Sequence, residues 1–115
     1  MAEEKVYEVV IARPAKTWYQ ENVLPYLFEY FSFERAIEID ENILNTARTL
    51  SKNPGRGRKE KYLEEVKGEF RFILHKETKH FEIKIIYYIS EGKNTVYVTD
   101  FFPTKMDPQK ITKNK

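Results

Sequence analysis

The chain has 115 residues, a formal net charge of +2, 33% charged and 41% hydrophobic residues, which excludes a disordered polymer and suits one domain around one core. It has no cysteine and two histidines, which removes disulfide and thiolate chemistry and leaves a structural zinc site without its usual ligands, so no metal and no cofactor are expected. No apolar run approaches the roughly 20 residues of a membrane span, and the acidic start MAEEKVYE lacks the apolar segment of a signal peptide, so a cytoplasmic protein with no membrane partner is expected.

The small net charge hides an asymmetry. Residues 1–51 hold five Lys/Arg against nine Asp/Glu (−4), and residues 52–115 hold fifteen against nine (+6). A basic half of this kind meets phosphate or an acidic protein surface, or is only a solvated face; charge alone leaves both readings open.

In chain order, residues 6–12 (VYEVVIA) are nearly continuously apolar, as for a strand buried on both sides or nearly so. Arg13-Pro14 ends it and suits a helix start. From residue 15 to 31, Ala15, Trp18, Tyr19, Val23, Tyr26, Leu27, Tyr30 and Phe31 recur at spacings of three and four, which predicts an amphipathic helix. Pro25 removes a helical hydrogen bond, so a kink or break is expected around residues 22–25. Ser32 is placed to cap a second helix over 33–50. Its inner face is expected to carry Ala36, Ile37, Asp40, Ile43, Leu44, Ala47 and Leu50, completing an αα-hairpin.

Residues 51–61 (SKNPGRGRKEK) read as a loop. Lys52, Arg56, Arg58, Lys59 and Lys61 form a basic patch able to contact phosphate, or else a solvated linker; the Lys-Ser/Thr ending of a nucleotide phosphate loop is missing. A helical turn is expected over 62–67 and a strand over 69–75, with Phe70, Phe72 and Leu74 on one face and Arg71, Ile73 and His75 on the other. Residues 81–102 then alternate, turn at Glu91-Gly92-Lys93-Asn94, and alternate again, the pattern of a β-hairpin. Phe81, Ile83, Ile85, Tyr87 and Ile89 share one side of it, and Lys84, Ile86 and Tyr88 the other. Val96, Val98 and Asp100 are expected opposite Tyr97, Thr99 and Phe101. Two prolines and several lysines make residues 103–115 a partly ordered tail. The expected fold is therefore one α+β domain, β-α-α-β-β-β. A mainly antiparallel four-stranded sheet carries the αα-hairpin on one face, with an ordered core over about residues 5–104.

The stretch SFERAIEIDENILNTARTLSKNPGRGR resembles the second helix and following loop of the RelE/ParE family of bacterial toxins. KIIYYISEGKNTVYVTDFFPTKMDPQKI resembles that family's last two strands and tail. The resemblance spans roughly residues 6–111. It implies a toxin of a type II toxin–antitoxin pair that causes growth inhibition, serves plasmid stabilisation, and is wrapped and blocked by a cognate antitoxin. Its target is then DNA gyrase (ParE type) or messenger RNA on the ribosome (RelE type), and fold alone does not choose. A non-toxic binding module of the same fold is the third reading.

For the nuclease, the resemblance places Arg71, Lys84 and Lys105 at basic catalytic positions, with His75 a further proton carrier. The chemistry is metal-independent: a 2′-hydroxyl attacks the adjacent phosphate while a base takes its proton and cations hold the developing charge. Arg71, His75, Lys84 and Tyr88 are expected on the face opposite the helices. The set departs from the nuclease pattern. Ile73 stands where a basic residue is frequent, Lys84 replaces an arginine, and no tyrosine follows Lys105, which favours the ParE type. Ile86 and Tyr88 read as a docking stripe for an antitoxin helix. Arg71 and Lys84 paired to neighbouring glutamates, simply solvating the sheet, is the bland alternative.

Overall fold

The apolar first segment, the amphipathic hairpin and the meander each have a face to bury, and the sheet is where they meet. The computed structural model describes residues 5–60 and 69–105. β1 (Glu8–Ile11) leads into α1 (Arg13–Trp18), a π-helical turn over Tyr19–Val23, and α2 (Leu24–Tyr30). α3 (Phe33–Arg48) packs on α2. β2 (Arg58–Lys59), β3 (Arg71–Thr78), β4 (Phe81–Ser90) and β5 (Thr95–Pro103) follow. The strand order is β1-β5-β4-β3-β2, with β1 parallel to β5 and every other pair antiparallel. The fold is α+β with the expected meander. It has five strands rather than four, because two residues of the predicted basic loop pair with β3. A two-residue strand is too short to show alternation. The helical turn expected over 62–67 lies outside the described residues, as does the tail from 106 onward.

The break expected near Pro25 takes the form of the π-turn immediately before it. Widening the turn makes room for the proline ring and its missing donor. The Asn22 amide donates to the Trp18 carbonyl at 3.0 Å. The turn also sets the buried stripe. Ala15, Tyr19, Val23 and Leu27 are all buried at uniform spacing of four, which an unbroken α-helix of 3.6 residues per turn would wind off the core. One extra residue per turn brings the stripe back.

Ser32 caps α3 as expected, its hydroxyl accepting from the Arg35 amide at 3.1 Å. Ser32→Ala should cost about 1 kcal/mol in denaturant unfolding, with Ser32→Asp restoring most of it. The buried positions of α3 are Ala36, Ile39, Ile43 and Ala47. Ile37 is exposed, which corrects the predicted inner face.

β1 is also corrected. It is an edge strand whose residues are exposed or half-buried, although Tyr7 just before it is buried. Phe81, Ile83, Ile85 and Tyr87 of β4 join Val96, Val98 and Phe101 of β5 in the main core. A bulge sits where Ile86 pairs with Asp100 but Tyr87 pairs with Val98, leaving Thr99 extra. It reverses the alternation of β5, so Phe101 enters the helix-side core while Asp100 and Phe102 turn to the other face. The predicted sidedness of Asp100 and Phe101 is thus inverted. That second face has a small core of its own, Ile86 and Phe102 packed by Phe70 and Phe72.

Candidate functional site

The register of β3 on β4 decides where the predicted catalytic residues go. Arg71 lies opposite Tyr87, Ile73 opposite Ile85, and His75 opposite Ile83. Directly opposed residues of an antiparallel pair share a face. Arg71 and His75 are therefore on the helix-bearing side, with Ile73 packed against the main core. Lys84 is on the other side, its ammonium 4.3 Å from the centre of the Phe72 ring. The expected cluster of Arg71, His75, Lys84 and Tyr88 on one face is overturned: it splits into two pairs across the sheet. The apolar reading of Phe70 and Phe72 misled the assignment, because these rings cover the second core rather than the first.

Each of these side chains has internal partners. Arg71 donates to the Gly57 carbonyl at 2.9 Å and pairs with Glu69 at 3.0 Å, one of the neutral pairings considered from sequence. His75 lies between Glu77, 2.9 Å from Nε2, and the Thr46 hydroxyl, 2.7 Å from Nδ1. Lys84 pairs at 2.9 Å with Glu60, whose side chain is fully buried. Lys105 is exposed at the end of β5, where it borders a slot of about 300 Å³ lined mostly by Trp18, Val23, Tyr26, Phe81 and Pro103.

The basic segment is not a slack linker. Tyr87 sits beneath it, buried, donating its hydroxyl to the Pro54 carbonyl and accepting from the Gly57 amide at 3.1 Å. Burial lifts its phenol above the usual value, against the pull of that amide and of the Arg71 and Arg56 guanidiniums. Arg56 turns back on the end of the helical hairpin, donating to the Thr49 carbonyl at 3.2 Å and to the Thr49 hydroxyl. Pinned in this way, β2 holds Arg58 and Lys59 exposed at the sheet's end. Among the described residues, Lys59 keeps a loose contact with Glu69, at 3.7 Å. Lys61, expected in the same patch, lies outside the described residues.

Arg58 opposes Phe72, which puts it on the face of Lys84. That face continues as a row of rings. Phe70 meets Tyr88 edge-on at 5.7 Å, and Tyr88 stacks on Tyr97 at 5.2 Å. Tyr88 is half-buried and can take part in a contact. Ile86 cannot serve as a docking residue, because it is fully buried. The candidate site is thus a surface rather than a cleft, with Arg58 beside the aromatic row and Lys59, paired opposite Arg71, on the reverse face of the same edge strand. Sequence reasoning missed Phe70, Phe72 and Tyr97 as members; Phe70 and Phe72 read as core residues of the helix side, and only the register of β3 on β4 brings them to the face of Tyr88 and Tyr97. Arrangements like this bind extended surfaces through cations and π-faces. No family model, curated protein or solved structure matches this chain.

Proposed function

We propose that this chain is the toxin of a type II toxin–antitoxin pair of the RelE/ParE class, neutralised by a cognate antitoxin, and that it acts by binding DNA gyrase rather than by cutting RNA. The class rests on the resemblance of the two quoted stretches, supported by the element order: one strand, a helical hairpin, a basic segment that contributes the short β2, and the three-strand meander β3–β5. The observation that favours binding over cleavage is the dispersal of Arg71, His75 and Lys84. Cleavage through a 2′-hydroxyl needs a base and cations around one phosphate, within hydrogen-bond reach of it. Here Arg71 and His75 are separated from Lys84 by the sheet, and all three are engaged by neighbouring groups. A pinned cationic end beside a row of rings fits a macromolecular surface better than a reacting phosphate.

Induced expression tests the reading. The expected result is growth arrest with filamentation and broken DNA, relieved by co-expressing a cognate antitoxin, to be sought among short open reading frames beside this gene. Purified gyrase should lose supercoiling activity when the chain is added. Rapid loss of translation with cuts inside ribosome-bound messages would assign the nuclease instead, and undisturbed growth would assign a non-toxic binding module.

A further inference from the structure

We propose that the slot between the π-turn and the ends of β4 and β5 binds a small aromatic carboxylate, its ring held among Trp18, Tyr26 and Pro103 and its carboxylate at Lys105. The slot lies on the helix-bearing side of the sheet, apart from the aromatic row, and the inference holds whether or not the chain is a toxin.

Three observations converge on it. The first is how the slot is built. Trp18, Asn22 and Tyr26 border it at a uniform spacing of four, and the π-turn over Tyr19–Val23 keeps them in one line. The facing wall is Phe81, at the start of β4, and Pro103, which pairs with Ile83 at the end of β5. The Tyr26 and Phe81 rings lie nearly parallel, 13° apart in plane with centroids at 5.5 Å. Tyr26 is 41% exposed and Trp18 half-buried, so ring surface is left along the slot for a further ring to cover.

The second is size. At about 300 Å³ the slot stands at the small end of ligand clefts, which run from about 300 to 1,000 Å³. That suits one ring system with a short arm rather than a nucleotide.

The third is charge. Lys105 and His80 border the slot and are exposed, so they stand at its mouth. Neither side chain has a partner among the described residues. Glu82 also borders the slot, but it sits between Phe81 and Ile83, which enter the helix-side core. Alternation turns its carboxylate to the reverse face. The mouth is therefore cationic, and the imidazole supplies a ring N–H in either protonation state. Among the described residues no arginine borders the slot, so the bidentate fork that suits a phosphate is missing. A single ammonium beside a ring-lined slot matches a single carboxylate on an aromatic body. It also repels the quaternary ammonium that ring cages otherwise accept.

The test uses the full chain and three probes that differ in the head group alone: phenylpropionate, phenylpropanamide and phenylpropylamine. Trp18 is the chain's one tryptophan, so its fluorescence reads occupancy of the slot, and amide shifts map the site. Phenylpropionate is expected to bind saturably, with the largest shifts at Asn22, Phe81 and Lys105, and to raise the melting temperature. The amide should bind about three- to tenfold more weakly, and the amine more weakly still. The protein is unchanged across the probes, so misfolding cannot explain that order. Lys105→Glu, at an exposed position, should reverse it, the amine now binding best. Equal binding of the three probes, or tightest binding of the amine or of choline to the unaltered chain, overturns the proposal. So do shifts centred on Tyr88 and Tyr97, a failure of phenylpropionate to saturate, or an unchanged order in Lys105→Glu.

Discussion

Gly57→Ala should lower stability by about 2–6 kcal/mol, while Gly55→Ala, two residues earlier in the same segment, should be close to neutral. Gly57 has φ −73° and ψ 157°, values any residue adopts. Its constraint is space. An added Cβ would lie 2.7 Å from the Phe72 carbonyl oxygen, 3.0 Å from Tyr87 Cζ and closer still to the Tyr87 hydroxyl, whereas one at Gly55 meets nothing within 4 Å. The hydroxyl cannot retreat cheaply, because it bonds both Pro54 and Gly57 and is buried. Overpacking costs about 1–3 kcal/mol, and breaking buried hydrogen bonds adds about 1–3 more. For a chain of this size the melting temperature should fall by roughly 10–20 °C. Gly57→Ala with Tyr87→Phe removes the closest clash and should recover part of the loss, the Phe72 carbonyl contact remaining. Equal melting of the two alanine variants would show that Tyr87 does not pin this segment. The same contact links fold to function, since Tyr87 holds the segment that presents Arg58 and Lys59.

The architecture was legible where one physical signal acted alone. Residues 81–98 alternate without competition around Gly92 and Asn94, and Asn94 adopts the left-handed conformation that closes the turn (φ 48°). Phe81, Ile83, Ile85 and Tyr87 accordingly went to the correct side. β3 was misassigned because both its faces are partly apolar. Phe70 and Phe72 outweigh Ile73 by hydrophobicity, but register on β4, a long-range property, sends Ile73 to the main core. One-sided burial was assumed, and the sheet buries residues on both sides. The Thr99 bulge left no mark in composition, yet it moves Phe101 and Asp100 across the sheet. In α3, Ile37 and Ile39 are equally apolar. Only the spacing from Ala36 to Ile43 distinguishes them, and it favours Ile39, at i+3 from one and i−4 from the other. The candidate site suffered most, because its membership depends on sidedness, and one inverted strand scattered the cluster.

Glu77→Gln should cost about 1.5–3 kcal/mol at neutral pH, and the loss should fade in acid. Glu77 is the junction between β3 and α3. Its carboxylate meets His75 at 2.9 Å and Arg35 at 3.0 Å, and accepts from the Asn42 amide at 3.2 Å. Arg35 also pairs with Glu38, and Thr46 links the same histidine to the helix, its hydroxyl 3.0 Å from the Asn42 carbonyl. Burial alone would raise the acid's pKa, but the hydrogen bonds from His75, Asn42 and Arg35 outweigh it and hold Glu77 below the ordinary carboxylate value of 4.5. A carboxylate more acidic in the folded chain than in the unfolded one stabilises fully above the unfolded pKa. That contribution is lost as pH falls through the lower folded value. Denaturant unfolding across a pH series should therefore show wild type and Glu77→Gln separated by a constant amount from neutral pH down to about 5, then converging below 4.5. Convergence instead between pH 7 and 6, with no change below 5, would mean that the carboxylate is not the group being read. If the variants never separate, the β3–α3 junction is held by apolar packing such as that of Ile73 against the main core, and this polar network contributes nothing net.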